Sequence, residues 1–180
     1  VANATDGLVI ALLAVNIGPG DEVIFCSHTM VATAASIALV GATPVPVELG
    51  YGRTIDVDSI VPAITGRTRA IMPTQLNGRV ADMEGIMGIA KEYDLLIVED
   101  AAQALGAKFR GQTAGTFGIA SAISFYPAKV LGGFGDGGAV LCQDQEMYER
   151  LYRLRDHGRG LNREIVEWSG NTRLDNLQAA

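Results

Sequence analysis

The stretch "MEGIMGIAKEYDLLIVED", residues 83–100, changes period partway along. Residues 83–94 carry apolar side chains at helical spacing, and "LLIVED" (95–100) is a short apolar run ending in two acids. A helix followed at once by a strand whose apolar run does not alternate describes one unit of a parallel sheet covered on both faces. The same unit recurs along the chain. Further strands are predicted at "EVIFCS" (22–27), "TPVPVEL" (43–49), "RAIMPT" (69–74), "ASAISFY" (120–126) and "GAVLCQ" (138–143). Further helices are predicted at 5–17, 29–41, 56–64 and 144–158, the last with Asp144 as N-cap and Gly158 as its stop. "GPGD" (18–21) is a turn that ends the first helix. The alternation predicts an α/β domain of three layers, αβα, around a mostly parallel sheet.

Composition agrees with that class. The 180 residues are enough for one domain, 48% are hydrophobic, only 6% aromatic, and 22 are glycine. The net charge of −6 argues against non-specific nucleic-acid binding. No apolar run is long enough for a membrane span, and no signal peptide is visible. Cys26 and Cys142 stand alone without metal-ligand spacing, which suits free thiols in a reducing cytoplasm. The chain begins "VANATDGL" without Met and stops at "LDNLQAA", which reads as helix interior. Residues 1–180 are therefore expected to be one domain of a longer protein.

Ligands of such sheets sit at the carboxyl ends of the strands. "LLIVED" ends in Glu99 and Asp100, with Gln103 three residues beyond. A strand-end acid is either a helix cap or salt-bridge partner, or a carboxylate that holds a cationic ligand atom. "ASAISFY" carries Ser124, which could bind phosphate or satisfy nearby backbone. Lys129 follows, with no acid within four positions on either side, and then "GGFGDGG". A lysine amine in its neutral form is a nucleophile. The glycine run is a loose GxGxxG, but it precedes a strand instead of a helix and fails as a dinucleotide fingerprint. "NATDGL" opens the first helix, and its free N–H groups with Thr5 could hold a phosphate. The other reading is an ordinary N-cap by Asn3 or Thr5. A lysine, a strand-end acid, a Ser and a Thr at helix or strand ends, and close glycine backbone are the parts that hold pyridoxal phosphate.

Six stretches resemble the DegT/DnrJ/StrS nucleotide-sugar aminotransferases. They are "IGPGDEVI" (17–24), "SHTMVATAASI" (27–37), "VGATPVPVE" (40–48), "VEDAAQALGA" (98–107), "SFYPAKVLGGFGDGGAV" (124–140) and "NTRLDNLQAA" (171–180). The resemblance implies the large domain of a pyridoxal-phosphate-dependent transferase of fold type I. It also implies transfer of an amino group, with glutamate the expected donor, to a keto group on a nucleotide-linked sugar. Pyridoxal 5'-phosphate would be bound covalently by Lys129, which then serves as general base and acid. Asp100 would pair with the ring nitrogen, and Gln103 would contact the ring or its hydroxyl. Ser124 would bind the phosphate on one side, and Thr5 with the N–H of Asp6 on the other. Asn171 matches an asparagine that reaches the cofactor phosphate of a neighbouring subunit, so a homodimer with a shared site is implied. An N-terminal segment and a C-terminal small domain would lie outside these 180 residues.

Departures from the family pattern bear on function. Met30 stands where the family commonly stacks an aromatic residue on the ring; its thioether still offers a soft cover. Ala4 replaces a usual glycine before Thr5. "PTQLNGR" (73–79) stands where "PVHLYGQ" is common, which points to a different sugar pocket near Gln75 and Asn77. His28 and Arg173 receive no role, and His157 reads as a helix C-terminal residue favoured by the dipole. One branch of the family has histidine in place of the lysine and dehydrates its substrate; Lys129 favours transamination. The alternative readings are a truncated or divergent cofactor-binding module without turnover, or a sugar dehydratase or other pyridoxal-phosphate activity of the same family.

Overall fold

The computed structural model describes all 180 residues. Its main elements are α1 (Ala4–Ala14), β1 (Glu22–Cys26), α2 (Val31–Leu39), β2 (Thr43–Val47), β3 (Thr68–Met72), α3 (Met83–Glu92) and β4 (Leu96–Asp100). A small hairpin follows, β5 (Lys108–Phe109) and β6 (Gln112–Thr113), and then β7 (Ala120–Ser124), β8 (Gly138–Cys142), α4 (Gln145–Arg155) and α5 (Asn176–Ala179). Six strands form one sheet in the order β2-β1-β3-β4-β7-β8. All neighbours are parallel except β8, which runs antiparallel to β7. The αβα architecture expected from the alternation is the one observed.

Period-two alternation within fully buried strands builds the two faces. Val23, Phe25, Ala70, Met72 and Val98 pack with α1 and α2 on one side. Ile24, Cys26, Ile71 and Ile97 pack with Met83, Ile86 and Ala90 of α3 on the other. α1 is apolar all round because it is covered all round. Leu8 and Leu12 face the sheet, and Ile10 and Ala14 face Met147, Leu151 and Leu154 of α4. The edge strand β2 tolerates Pro44 and Pro46 because alternate residues bond to β1; the prolines turn their missing N–H to the open edge.

Two expectations need correction, and one element is new. Residues 56–64 form two short 3₁₀ turns, Val57–Ser59 and Val61–Ala63, instead of one helix. Pro62 cannot donate the bond that would join them. The hairpin at 108–113 was not expected. α4 begins at its Asp144 cap, whose Oδ1 accepts the Met147 N–H at 2.8 Å, but it ends at Arg155 instead of running to Gly158. There the His157 N–H donates to Gly170 O, and His157 adopts φ 55°, outside the helix. Gly158 must remain glycine, since a Cβ would sit 1.7 Å from Glu167 O.

Gly138 fixes how closely α1 approaches the sheet. An added Cβ would lie 2.7 Å from Ile123 O and 2.9 Å from the Asn3 carbonyl carbon, both backbone atoms. Gly138→Ala is expected to cost about 1–3 kcal/mol in urea unfolding by forcing the start of α1 off the sheet. An unchanged midpoint would show that this approach has slack.

Candidate active site

The carboxyl ends of β4 and β7 and the amino ends of α1 and α2 surround a cleft of about 500 Å³. Thr5, Met30, Asp100, Gln103, Ser124 and Lys129 line it together. Tyr126 and Asp136, to which sequence reasoning assigned nothing, line it as well. Asp6 and Asn171 do not; they lie in a separate, shallower depression with Ser169 and Thr172.

The two acids that end β4 have opposite fates, because successive side chains of a strand point to opposite faces. Glu99 is fully buried and turns away from the cleft. Its Oε2 accepts from Gln75 Nε2 and the Gly115 N–H, each at 2.9 Å. Its Oε1 accepts the N–H groups of Phe117 at 2.7 Å and Gly118 at 2.9 Å. Four donors saturate this carboxylate, and it closes the 115–118 loop onto the sheet. Gln75 is consumed in the same network, its Oε1 accepting the Ala81 N–H at 2.8 Å. Gln75 therefore shapes no sugar pocket, contrary to the expectation from "PTQLNGR".

Asp100 is only 4% exposed and faces the cleft. Its N–H donates to Pro73 O at 3.0 Å and its carbonyl accepts the Gln75 N–H at 2.9 Å, so the side chain sits on rigid structure. Its Oδ2 accepts from Thr33 Oγ1 at 2.6 Å and its Oδ1 from the Ala102 N–H at 3.2 Å. Burial pushes its carboxyl above the ordinary range, against the pull of the Thr33 and Ala102 bonds and the nearby Lys129 charge. No helix starts after Asp100, so it is not a cap. A buried carboxylate so short of positive company suits a cationic atom in the cleft.

Lys129 is half-buried on the loop between β7 and β8, where its N–H donates to Tyr126 O at 2.8 Å. The base of that loop is tied by Phe125 N–H to Gly137 O and Gly133 N–H to Phe125 O, each 2.8 Å. α5 braces it from outside, Gln178 Oε1 accepting the Phe134 N–H at 3.0 Å. The glycine run leads into β8 and not into a helix. At the end of β7, Ser124 Oγ accepts the Tyr126 N–H at 3.2 Å and keeps its own proton to donate. Thr5 lies in the first turn of α1, whose leading N–H groups have no intrahelical acceptor. Asn3 is the cap: its Oδ1 accepts the Asp6 N–H at 2.8 Å and its Nδ2 donates to Asp6 Oδ2 at 3.1 Å. The Asp6 N–H is thus engaged within the helix cap. Gln103 Oε1 accepts the Asn77 N–H at 3.2 Å, which leaves its amide hydrogens for a ligand. Met30 precedes α2 and is 57% exposed at the cleft wall.

This donor set fits pyridoxal phosphate: an amine, a buried acid opposite it, and hydroxyls beside a helix amino end for an anion. Sequence reasoning also missed Thr33. It stands one helical turn beyond Thr29, but nothing in the sequence signals that this turn lies over the end of β4.

Fold and cleft together define an α/β cofactor-binding domain with a lysine and an acid at its strand ends. The chain belongs to the DegT/DnrJ/EryC1/StrS aminotransferase family, whose model matches residues 1–180. It is 47% identical over 181 residues to the dTDP-3-amino-3,4,6-trideoxy-alpha-D-glucose transaminase of Streptomyces venezuelae, covering 100% of this chain and 48% of that protein. It is 46% identical to the UDP-N-acetyl-3-dehydro-alpha-D-glucosamine 3-aminotransferase of Acidithiobacillus ferrooxidans, covering 99% and 48%. The crystal structure of S. venezuelae DesV in complex with a ketimine intermediate superposes with a TM-score of 0.95 at 47% identity, covering 99% of this chain and 48% of that one. The chain spans about half the length of these relatives. The family is pyridoxal-phosphate-dependent, and the fold is that of the fold type I large domain.

The raised carboxyl of Asp100 has a sign that can be tested. Between its ordinary and its raised midpoint the folded state holds more protons than the unfolded one. Stability therefore falls as pH rises through that window and stays lower above it. Asp100→Asn removes the buried charge with little change of shape. In urea unfolding of the cofactor-free protein from about pH 4 to about pH 8, it should gain on the wild type as pH rises and converge with it at the acid end. A parallel pair of curves would mean that Asp100 titrates normally. Glu99→Gln should lose about 3 kcal/mol or more at neutral pH, because it sets an amide NH₂ against N–H donors.

Proposed function

We propose that the full-length protein transfers an amino group from an amino-acid donor, expected to be glutamate, to a keto group on a nucleotide-linked sugar, using pyridoxal 5'-phosphate. Residues 1–180 are its cofactor-binding large domain. One observation carries the reading: the Lys129 amine and the buried Asp100 carboxylate line the same cleft at the strand ends. The names of the relatives, a dTDP-sugar transaminase and a UDP-sugar 3-aminotransferase, support the substrate class.

The cofactor supplies an aldehyde that condenses with amines and a ring that draws electrons from the substrate carbon. The chain supplies everything around it. Asp100 would keep the proton on the ring nitrogen, and its burial would strengthen that pairing. Ser124, Thr5 and the amino end of α1 would anchor the phosphate. Gln103 would offer its amide to the ring hydroxyl, and Met30 would cover the ring. Lys129 would hold the cofactor through its amine and, once free, would serve as the base that takes a proton from the substrate carbon and as the acid that delivers it to a second carbon. The Asp6 N–H, spent on Asn3, lends the phosphate only its share of the helix dipole.

Asn171 is exposed and outside this cleft, which is the placement expected of a residue that serves a neighbouring subunit's phosphate. We accordingly assign a homodimer with shared sites. No helix is long and apolar enough to cross a membrane. The free thiols Cys26 and Cys142 suit a reducing compartment, and we assign the cytoplasm.

Borohydride reduction of the protein loaded with pyridoxal phosphate, followed by peptide mass mapping, should place one pyridoxyl group on Lys129. Lys129→Ala should lose both the adduct and the cofactor's protein-bound absorbance. Labels scattered over surface lysines would overturn the site. Glutamate should then convert the bound cofactor to its amine form in the absence of sugar. Binding without that conversion would favour a module without turnover.

A further inference from the structure

Behind Asp100 lies a line of three threonine hydroxyls. Thr33 Oγ1 is 2.6 Å from Asp100 Oδ2, Thr29 Oγ1 is 2.7 Å from Thr33 Oγ1, and Thr74 Oγ1 is 3.0 Å from Thr29 Oγ1. Thr33 and Thr74 are buried, and Thr29 is half-buried. They come from two parts of the chain: Thr29 and Thr33 from the turn before α2 and its start, and Thr74 from the segment after β3. That segment also bridges the Asp100 backbone.

The direction of this line follows from donor inventory. An ionised carboxylate can only accept, so Thr33 must donate to Asp100. Thr33 has then spent its proton, and its contact with Thr29 requires Thr29 to donate. Thr29 in turn accepts from Thr74. All three O–H dipoles point toward the carboxylate, each polarising the next. A protonated Asp100 donating from Oδ2 would let every hydroxyl in the line reverse.

The charged surroundings are sparse. From the β7–β8 loop come Lys129, which acts on Asp100, and Asp136, which lines the same cleft with Tyr126. Glu99 points to the opposite face of the sheet. α1 carries only Asp6, engaged with Asn3 and Thr172, and α2 and β7 carry no titratable residue. Arg69 of β3 lies at the far end of the sheet, bonded to Gly66 and Thr68. Hydroxyl dipoles therefore supply an ordered share of what keeps this buried acid ionised.

We infer that Thr74, Thr29 and Thr33 form a directional hydroxyl relay that holds Asp100 ionised and leaves its free lone pairs aimed into the cleft. Thr33 is thus a positioning residue for the proton on the cofactor ring. That consequence rests on the cofactor reading above, whereas the relay is a property of the protein alone.

The test is carboxyl ¹³C NMR of the full-length, cofactor-free protein labelled at Asp, with the Asp100 resonance assigned by its loss in Asp100→Asn. Thr33→Val should shift the Asp100 midpoint upward, and Thr33→Ser should keep it near the wild type. Thr29→Val should shift it upward by less, and Thr74→Val by less again. That graded order is what a local packing defect would not produce. Midpoints in Thr29→Val and Thr74→Val equal to the wild type would overturn the relay. Should Thr33→Val fail to fold, the half-buried Thr29 decides alone, a raised midpoint supporting the relay and an unmoved one ending it. Borohydride labelling of the wild type separates the two readings. Label on Lys129 with flat titrations removes the relay and keeps the cofactor; no label with graded titrations does the reverse.

Discussion

Two adjacent carboxylates at the end of β4 organise this domain, and what separates them is how fully each is satisfied. Glu99 receives four hydrogen bonds and is finished as a structural group. Asp100 receives two and is left electrostatically short. Strand geometry makes the difference unavoidable, because neighbours in sequence must face opposite layers. The Glu99 side of the sheet can therefore be closed by loops 75–81 and 115–118. The Asp100 side stays open as a cleft. Exchanging the donors between the two would close the cleft and strand a charge in the core, at a cost of several kcal/mol.

The cleft's other walls follow from the packing of α1. Covered by the sheet on one side and α4 on the other, the helix has no freedom to slide. Its start is pinned by the Asn3–Asp6 cap, by Thr172 donating to Asp6 Oδ2 at 2.8 Å, and by the Gly138 N–H bonded to Val1 O at 3.0 Å. The positive end of the helix dipole is thus held beside Ser124 by contacts reaching across the whole chain. A site built this way keeps its anion pocket and its cation partner at a fixed separation, which is the requirement for holding a rigid ring by both ends.

Much of this was legible in the sequence where physics is local. The change of period at residues 94–95 marks helix and strand, and apolar runs without alternation mark a sheet covered twice. Asp144 announced its cap. Lys129 stood out because it lacked acidic neighbours, and Asp100 because acids rarely end buried strands. What escaped was non-local or cooperative. Gln75 looked like a pocket residue because its partner Glu99 lies 24 positions away. Thr33 drew no reading because its partner lies 67 positions away. The helix expected at 56–64 broke at Pro62, and α4 stopped early because 156–158 turn into contacts with 165–170, which no propensity records.

The incomplete compensation of Asp100 is itself functional in kind. Lys129 lowers the carboxyl's midpoint, yet the largest influence remains burial, which raises it. If Lys129 compensated Asp100 fully, the two would form a closed ion pair, and a cofactor would have to break it before entering. With one hydroxyl and one N–H as the direct partners, the carboxylate is oriented without being neutralised, and the amine remains available for bond formation. A cationic ring then gains the attraction that the protein left unused. A cationic group bound at this cleft stabilises the domain by mass action, and relief of the burial penalty on Asp100 enters through a lower Kd. The burial that raises the Asp100 midpoint in the empty cleft is the same burial that would strengthen its pairing with a cationic group.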